Sequence, residues 1–241
     1  MPVQREESPA TGHQPRRVTS FRSRHSALSG AQQRTWEIRW PELGTVARSE
    51  DGQPTALLDL PRWFGRSAPV VLEIGCGNGV STLAMAKTEP DIDVLAVEVY
   101  RRGLGQLLSG VDQAGLTNVR FVRGDGVDVL EHLLEPASLT AVRVFFPDPW
   151  PKARHHKRRL LQAPTVALIA SRLRPGGILH AATDHAEYAE QIAEVGDAES
   201  QLRRVRATAS LPVSVQRPTT KYEARGLGLG SSITELIWER R

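Results

Sequence analysis

From about residue 68 onward, short apolar runs and stretches of helical spacing take turns along the chain. APVVLEIG (68–75) is an apolar run ended by glycine, GVSTLAMAKTEP (79–90) has helical spacing and stops at a proline, and DIDVLAVEV (91–99) is again apolar and β-rich. Next come RRGLGQLLSGVDQAGL as helix, NVRFVRGD as strand, VDVLEHLL as helix, AVRVFFPD as strand, RRLLQAPTVALIASRL as helix, GILHAATD as strand and AEYAEQIAEV as helix. QLRRVRATAS and SITELIWER read as two closing strands, which makes seven. Strand and helix in alternation predict a mostly parallel α/β sheet with helices on both faces. In such open sheets ligands bind at the carboxyl ends of the strands.

Upstream the pattern is different. Residues 1–20 are rich in Pro, Ser, Gln and Arg with few apolar positions, too few to offset the entropy of ordering, so disorder is expected there. Phe21 to Trp40 is basic with interspersed aromatics and reads either as an arm or short helix against the domain or RNA, or as a solvated extension. The division predicted is a flexible basic N-terminal extension over 1–50 and one α/β domain over 51–241.

The chain has 241 residues, 40% of them hydrophobic and 24% charged, enough for one real core. No run approaches the roughly 18 apolar residues of a membrane helix, and the N-terminus has no apolar leader, so a cytoplasmic protein without a membrane partner is expected. The single cysteine, Cys76, excludes an internal disulfide framework and a multi-cysteine zinc site; inside a glycine turn it reads as a small buried residue. The formal net charge of +4 is modest, so clustering matters more than the total. The cluster is FFPDPWPKARHHKRR (145–159), with five Lys/Arg and two His following an acid between prolines. Something negative is expected to dock there, and nucleic acid fits better than a membrane. His155 and His156 lack ligand partners at metal spacing, so no metal is expected.

Candidate cofactor chemistry sits at the strand ends. Glu73-Ile74-Gly75-Cys76-Gly77-Asn78-Gly79-Val80 ends the first strand of the series with a turn that lets backbone approach a ligand closely. A dinucleotide fingerprint would need glycine where Val80 stands. Glu98 ends the next strand, where a carboxylate can accept from both ribose hydroxyls, and Asp125 ends the third, within reach of an adenine amino group or simply capping the following helix. The E-x-G-x-G-x-G pattern resembles the first motif of class I S-adenosylmethionine (SAM) methyltransferases.

The resemblance narrows at VRVFFPDPWPKARHHKRR (142–159), which is similar to the signature of the tRNA (guanine-N7-)-methyltransferases. Thr183-Asp184 and Thr219-Thr220-Lys221-Tyr222-Glu223-Ala224-Arg225-Gly226 match further family positions. Phe21, Arg24, Ser29 and Gln32 are spaced like the family's N-terminal motif, with Ser26 and Ala27 where the family has glycine and arginine. The similarity spans about residues 21 to 239 and implies the Rossmann-like class I methyltransferase fold. It also implies methyl transfer from SAM to N7 of a tRNA guanine, at position 46 of the variable loop.

By that resemblance Asp148 is the catalytic position, and Glu73, Gly75, Gly77, Gly79, Glu98, Asp125 and Asp148 face the cofactor. Lys152, Arg154, Asp184, Thr220, Lys221, Tyr222 and Glu223 face the substrate. The residues themselves suit the chemistry. Guanine N7 carries an in-plane lone pair and no hydrogen, so alignment and a polar environment matter more than a base. Pro147 and Pro149 restrict the backbone of Asp148, letting its side chain grip the N1/N2 edge of the base. Trp150 either stacks on the base or plugs the core. Lys152, Arg154, Lys157, Arg158 and Arg159 are expected to hold phosphates, unless the last two simply begin the next helix. Asp184 is open to two roles, tRNA contact or helix cap, while His180 and His185 read as packing or surface residues. The 219–226 segment reads as a nucleotide pocket or an ordinary strand. A monomer or weak homodimer is expected. Two other readings are an amino-group methyltransferase, whose [DN]-P-P-[YW] loop places both prolines after the acid, and a SAM-fold RNA-binding module without activity.

Overall fold

The computed structural model describes residues 27–207, 210–218 and 232–241. Strands are β1 (Gly44–Val46), β2 (Val70–Ile74), β3 (Asp93–Glu98), β4 (Val119–Arg123), β5 (Leu139–Phe145), β6 (Leu173–Thr183), β7 (Leu202–Val205) and β8 (Thr234–Arg240). They form one sheet in the order β1-β4-β3-β2-β5-β6-β8-β7, in which β1 to β6 run parallel and β8 is antiparallel to both its neighbours. β2 and β3 are buried along their whole length, as expected of central parallel strands covered on both faces. The chain builds outward from β2 through β3 to β4, then returns to the other side of β2 to lay down β5 and β6. That reversal leaves a crevice between the carboxyl ends of β2 and β5.

Helices α1 (Gly30–Leu43), α3 (Val80–Thr88) and α4 (Arg101–Gln113) cover one face. The other is covered by α2 (Leu60–Phe64), α6 (Ala163–Arg172), α7 (Ala186–Ala198) and the short α5 (Gly126–Asp128), which continues as a π-helical turn through Leu133. In α4, Leu104, Leu107, Leu108 and Val111 follow helical spacing and are all buried.

The sheet has eight strands where the pattern predicts seven, because three residues, Gly44–Val46, pair with β4 from a segment assigned to the extension. Residues 28–47 are packed structure. Trp36 and Leu43 are buried, Trp36 stacks on Trp40 at 4.0 Å, and Leu28 meets Gly105 of α4. Ser29 and Gln32, two of the N-terminal motif positions, form a capping box at the start of α1: each side chain bonds the other's backbone N–H, at 3.3 and 3.0 Å. Phe21 and Arg24 lie outside the described residues.

One helix starts later than its pattern implies. RRLLQAPTVALIASRL becomes helical only at Ala163, and the basic block before it is a 3-10 turn, Ala153–Arg158. Pro164 lacks the N–H a helix interior requires and fits only the first turn, and Arg159 has turned inward.

Candidate active site

A cleft of about 610 Å³ opens at the β2/β5 reversal. Its walls include Gly75, Glu98, Asp125 and Asp148, contributed by the ends of β2, β3, β4 and β5, so four acid and glycine positions far apart in sequence share one cavity. The volume lies within the range of small-molecule sites.

Gly75, the first glycine of the turn, lines the cleft, whereas Gly77 and Gly79 are not among the lining residues. Gly75, Gly77 and Gly79 have φ of 77°, 57° and 77°, a region disfavoured for residues with a Cβ. Gly75 and Cys76 donate their N–H groups to the Val97 carbonyl of β3, at 2.8 and 3.1 Å. Gly79 caps α3, and a side chain there would run into Leu107 at 2.4 Å. Gly103 of α4 backs the turn so closely that a Cβ would lie 2.3 Å from the Gly77 carbonyl oxygen. Gly103 is a site-building residue the sequence reading misses; its only signal is a glycine inside the helical run RRGLGQLL.

Glu98 ties this turn together. Its Oε2 accepts from the Gly77 N–H at 3.0 Å, and its Oε1 accepts from the N–H groups of Val99 at 2.7 Å and Tyr100 at 3.0 Å, where α4 begins. Asp125 accepts from the Val127 N–H at 2.8 Å and caps α5, so it does fill the capping role while lining the cleft. Glu73 does not reach the cleft. It is buried below the turn, beside Arg143 in register across β5, and burial pushes its carboxyl up to about 7 against the pull of Arg143 and Thr82. Cys76 is buried, and burial, then Glu73 and Glu98, hold its thiol above the ordinary range.

The loop after β5 is unusual in its backbone. Phe146 and Trp150 take left-handed φ of 51° and 44°, strained values for bulky residues, on either side of Pro147-Asp148-Pro149. Asp148 is thereby held at the cleft with its side chain exposed. Trp150 lines the cleft, with the Arg158 guanidinium 4.9 Å above its ring and His155 meeting it edge-on at 5.6 Å. One ring is therefore held by its own loop.

The basic block divides in three, with Arg158 half-buried over Trp150 between the other two groups. Lys152, Arg154 and Lys157 are exposed. Arg159 is buried, contrary to its expected place among the phosphate-holding cations and equally to an exposed helix face. Its guanidinium donates to the Pro149 carbonyl at 2.8 Å, to Gln191 at 2.5 Å and to Glu187 at 3.3 Å, and lies 4.9 Å from the Tyr188 ring. Thus it clamps the Asp148 loop onto α7. His155 is held below its ordinary range by desolvation and by Arg158, Arg154, Lys152 and Lys157.

Lys152 and Arg154 stand outside the cleft wall, as does Asp184, which follows β6. Asp184 does not cap α7; His185 does, through Nδ1, which accepts from the Tyr188 N–H at 3.3 Å, while Thr183 Oγ1 accepts from the His185 N–H at 3.2 Å. His180 is fully buried and engages Glu235 at 3.1 Å. Thr220, Lys221, Tyr222 and Glu223 lie outside the described residues. Among the described residues Asp128, Glu131 and His132 cluster closely enough to share an ion, but Asp128 is already held by Arg48 at 2.7 Å.

A mostly parallel sheet with this strand order, a left-handed glycine turn beside a cleft and acids at successive strand ends define the Rossmann-like class I methyltransferase fold. Among solved structures, the 16S rRNA methyltransferase KamB superposes with a TM-score of 0.52 at 16% identity, covering 80% of this chain and 99% of that one. The aminoglycoside resistance methyltransferase NpmB1 gives 0.50 at 17%, covering 80% and 98%.

The family model described as "Putative methyltransferase" matches residues 67–236. A tRNA (guanine-N(7)-)-methyltransferase of Mycobacterium sp. (strain KMS) is 70% identical over 235 residues, 98% of this chain and 85% of that protein. The protein of the same name from Mycobacterium leprae (strain TN) is 58% identical over 93% of this chain and 97% of its own length. This chain belongs to the tRNA (guanine-N(7)-)-methyltransferase family.

Proposed function

We propose that this protein transfers a methyl group from SAM to N7 of a guanine in tRNA, at position 46 of the variable loop. The observation that carries the reading is the placement of Asp148, on a loop flanked by two left-handed residues, at the mouth of a cleft that also holds Glu98 and Asp125. The described residues fit SAM. At Gly75 and Gly77 a Cβ would point into open space, so the backbone is approachable, and Val80 stands where the dinucleotide fingerprint needs its third glycine for close helix–strand packing. Gly75 and Gly77 would lie under the methionine and ribose, Glu98 would accept from the ribose hydroxyls, and Asp125 or its neighbours would meet the adenine edge. When bound, SAM supplies the electrophilic methyl on a sulfonium.

The protein's part is alignment. N7 has no proton to lose, so Asp148 needs to act as a grip rather than as a strong base. From a stiffened loop it accepts from the guanine N1–H and N2–H, turning N7 toward the methyl carbon and partly balancing the cationic product. Lys152, Arg154 and Lys157 hold phosphates around the extruded nucleotide. Asp184 and the segment Thr220 to Glu223 contact the RNA by family resemblance. Among the described residues no helix is long and apolar enough to cross a membrane, and a cytoplasmic place is part of the proposal.

The test is incubation with methyl-labelled SAM and unmodified bulk tRNA, followed by digestion to nucleosides. Label in 7-methylguanosine is expected. Label in another nucleoside, or none, overturns the reading.

A further inference from the structure

Residues 211–217 form a strap along the sheet face that α1, α3 and α4 leave open. Leu211, Val213 and Val215 pack with Val71, Ala141, Ile178 and Ile237 of the central strands. Above this apolar layer the strap is fastened twice. Ser214 donates its N–H to Glu89 at 2.7 Å and accepts from Arg143 Nη2 at 3.1 Å, and Arg143 pairs with Glu89 at 2.8 Å. Three residues on, the Arg217 side chain is 5% exposed and pairs with Glu235 of β8 at 2.9 Å. Glu235 also meets His180 at 3.1 Å, and His180 meets Phe145 edge-on at 4.9 Å.

The Arg217 guanidinium lies 4.9 Å from the Phe146 ring and 5.7 Å from that of Phe145. Phe146 is the left-handed residue two before Asp148, and its N–H donates to the Ala182 carbonyl at 2.7 Å. A bulky side chain persists at positive φ only where its surroundings over-determine it. Here the hydrogen bond fixes the backbone and Arg217 fixes the ring, because a cation over an aromatic face is attracted and the Glu235 carboxylate keeps the cation in place. The resemblance assigns Arg217, His180 and Glu235 no role.

We propose that Arg217 is a positioning residue for methyl transfer: anchored on Glu235, it braces Phe146 and so fixes the loop that presents Asp148. This rests on the role given to Asp148 above. Arginine is required rather than any cation, because a planar guanidinium stacks on a ring while a lysine ammonium does not.

The test compares wild type with Arg217→Met, Arg217→Lys and, as a control from an exposed pair, Arg203→Met. Hydrogen exchange of peptides covering 144–152 is read beside those covering 70–75, together with kcat and the Kd for SAM. Arg217→Met is expected to speed exchange in 144–152 but not in 70–75, and to lower kcat by about 10-fold to 100-fold, the scale of a small misplacement of reacting groups. Its SAM affinity should stay within about threefold of wild type, which a merely structural defect would not ensure. Arg217→Lys should recover less than half of the lost rate, and Arg203→Met should match wild type. Unchanged loop exchange in Arg217→Met, or faster exchange with unchanged kcat, overturns the brace. Loosening throughout the chain overturns it as well. A wild type that makes no 7-methylguanosine overturns the proposed function instead, and the exchange result still decides whether the brace exists.

Discussion

Glu98→Gln tests the proposed placement of the cofactor by changing one oxygen. The wild-type carboxylate accepts three backbone N–H groups, Gly77 on Oε2 and both Val99 and Tyr100 on Oε1. The glutamine amide offers one oxygen and one NH2, and its cheaper orientation keeps the two bonds at α4. That leaves the NH2 facing the Gly77 N–H, donor against donor. One charge-assisted hydrogen bond is lost, a cost of about 1.5–3 kcal/mol. Water at the cleft can replace part of it, which favours roughly 1.5–2 kcal/mol. For a chain of this size that corresponds to a melting temperature lower by about 3–8 °C.

The same change releases the glycine turn and, on the proposed placement of SAM, removes half of the acceptor pair offered to the ribose. Cofactor affinity should therefore fall by about 10-fold to 30-fold, at 1.4 kcal/mol per factor of ten. Calorimetric titration with S-adenosylhomocysteine measures this directly, with thermal unfolding in parallel. Affinity within about threefold of wild type would refute the placement of the ribose at Glu98. A loss of affinity with no change in melting would refute the structural half of the argument.

The other expectations concern separate parts of the site. Asp148→Ala should lower turnover by at least about 100-fold while SAM affinity stays within about threefold, measured by single-turnover methylation and titration; equal losses in both would contradict a grip on the base. Binding of tRNA should weaken with salt at a log-log slope of about −2 to −3, for three exposed cations rather than five. Arg159→Lys should leave that slope unchanged while lowering stability by about 1–3 kcal/mol, since it removes internal bonds and no phosphate contact; a shallower slope in the variant would return Arg159 to the interface. Glu73 has its carboxyl raised from 4.5 to about 7, so the native state holds its proton more tightly than the unfolded chain. The associated stability is complete below the unfolded value and is lost as pH rises through the folded one. Glu73→Gln should accordingly gain melting temperature relative to wild type between about pH 5 and about pH 8, and parallel profiles for the two proteins would contradict the assignment.

Much of this protein is legible from residue order because its determinants are local or periodic. Apolar runs such as VVLEI and helical spacing such as that of Leu104, Leu107, Leu108 and Val111 name the α/β class, since a parallel sheet can be covered only by the helices between its strands. The glycines at 75, 77 and 79 announce a turn because no other residue takes their φ without strain. Glu98, Asp125 and Asp148 were identifiable as strand-end acids for the same reason.

What a side chain does depends on where it points, and that belongs to the tertiary structure. Five cations in one run look alike in sequence, yet the backbone after Pro149 turns Arg159 inward and leaves Lys152, Arg154 and Lys157 outside. Residues 30–46 look like part of an extension because α1 has a weak apolar stripe, but Trp36, Trp40 and Leu43, with Leu28 before the helix and the Arg39–Asp112 pair, hold it on the domain. Glu73 shares the motif of the glycine turn but lies beneath it, since successive strand residues face opposite sides of the sheet. The network joining Arg217, Glu235, His180 and Phe146 spans residues 146 to 235, and only folding brings its members within a few ångströms.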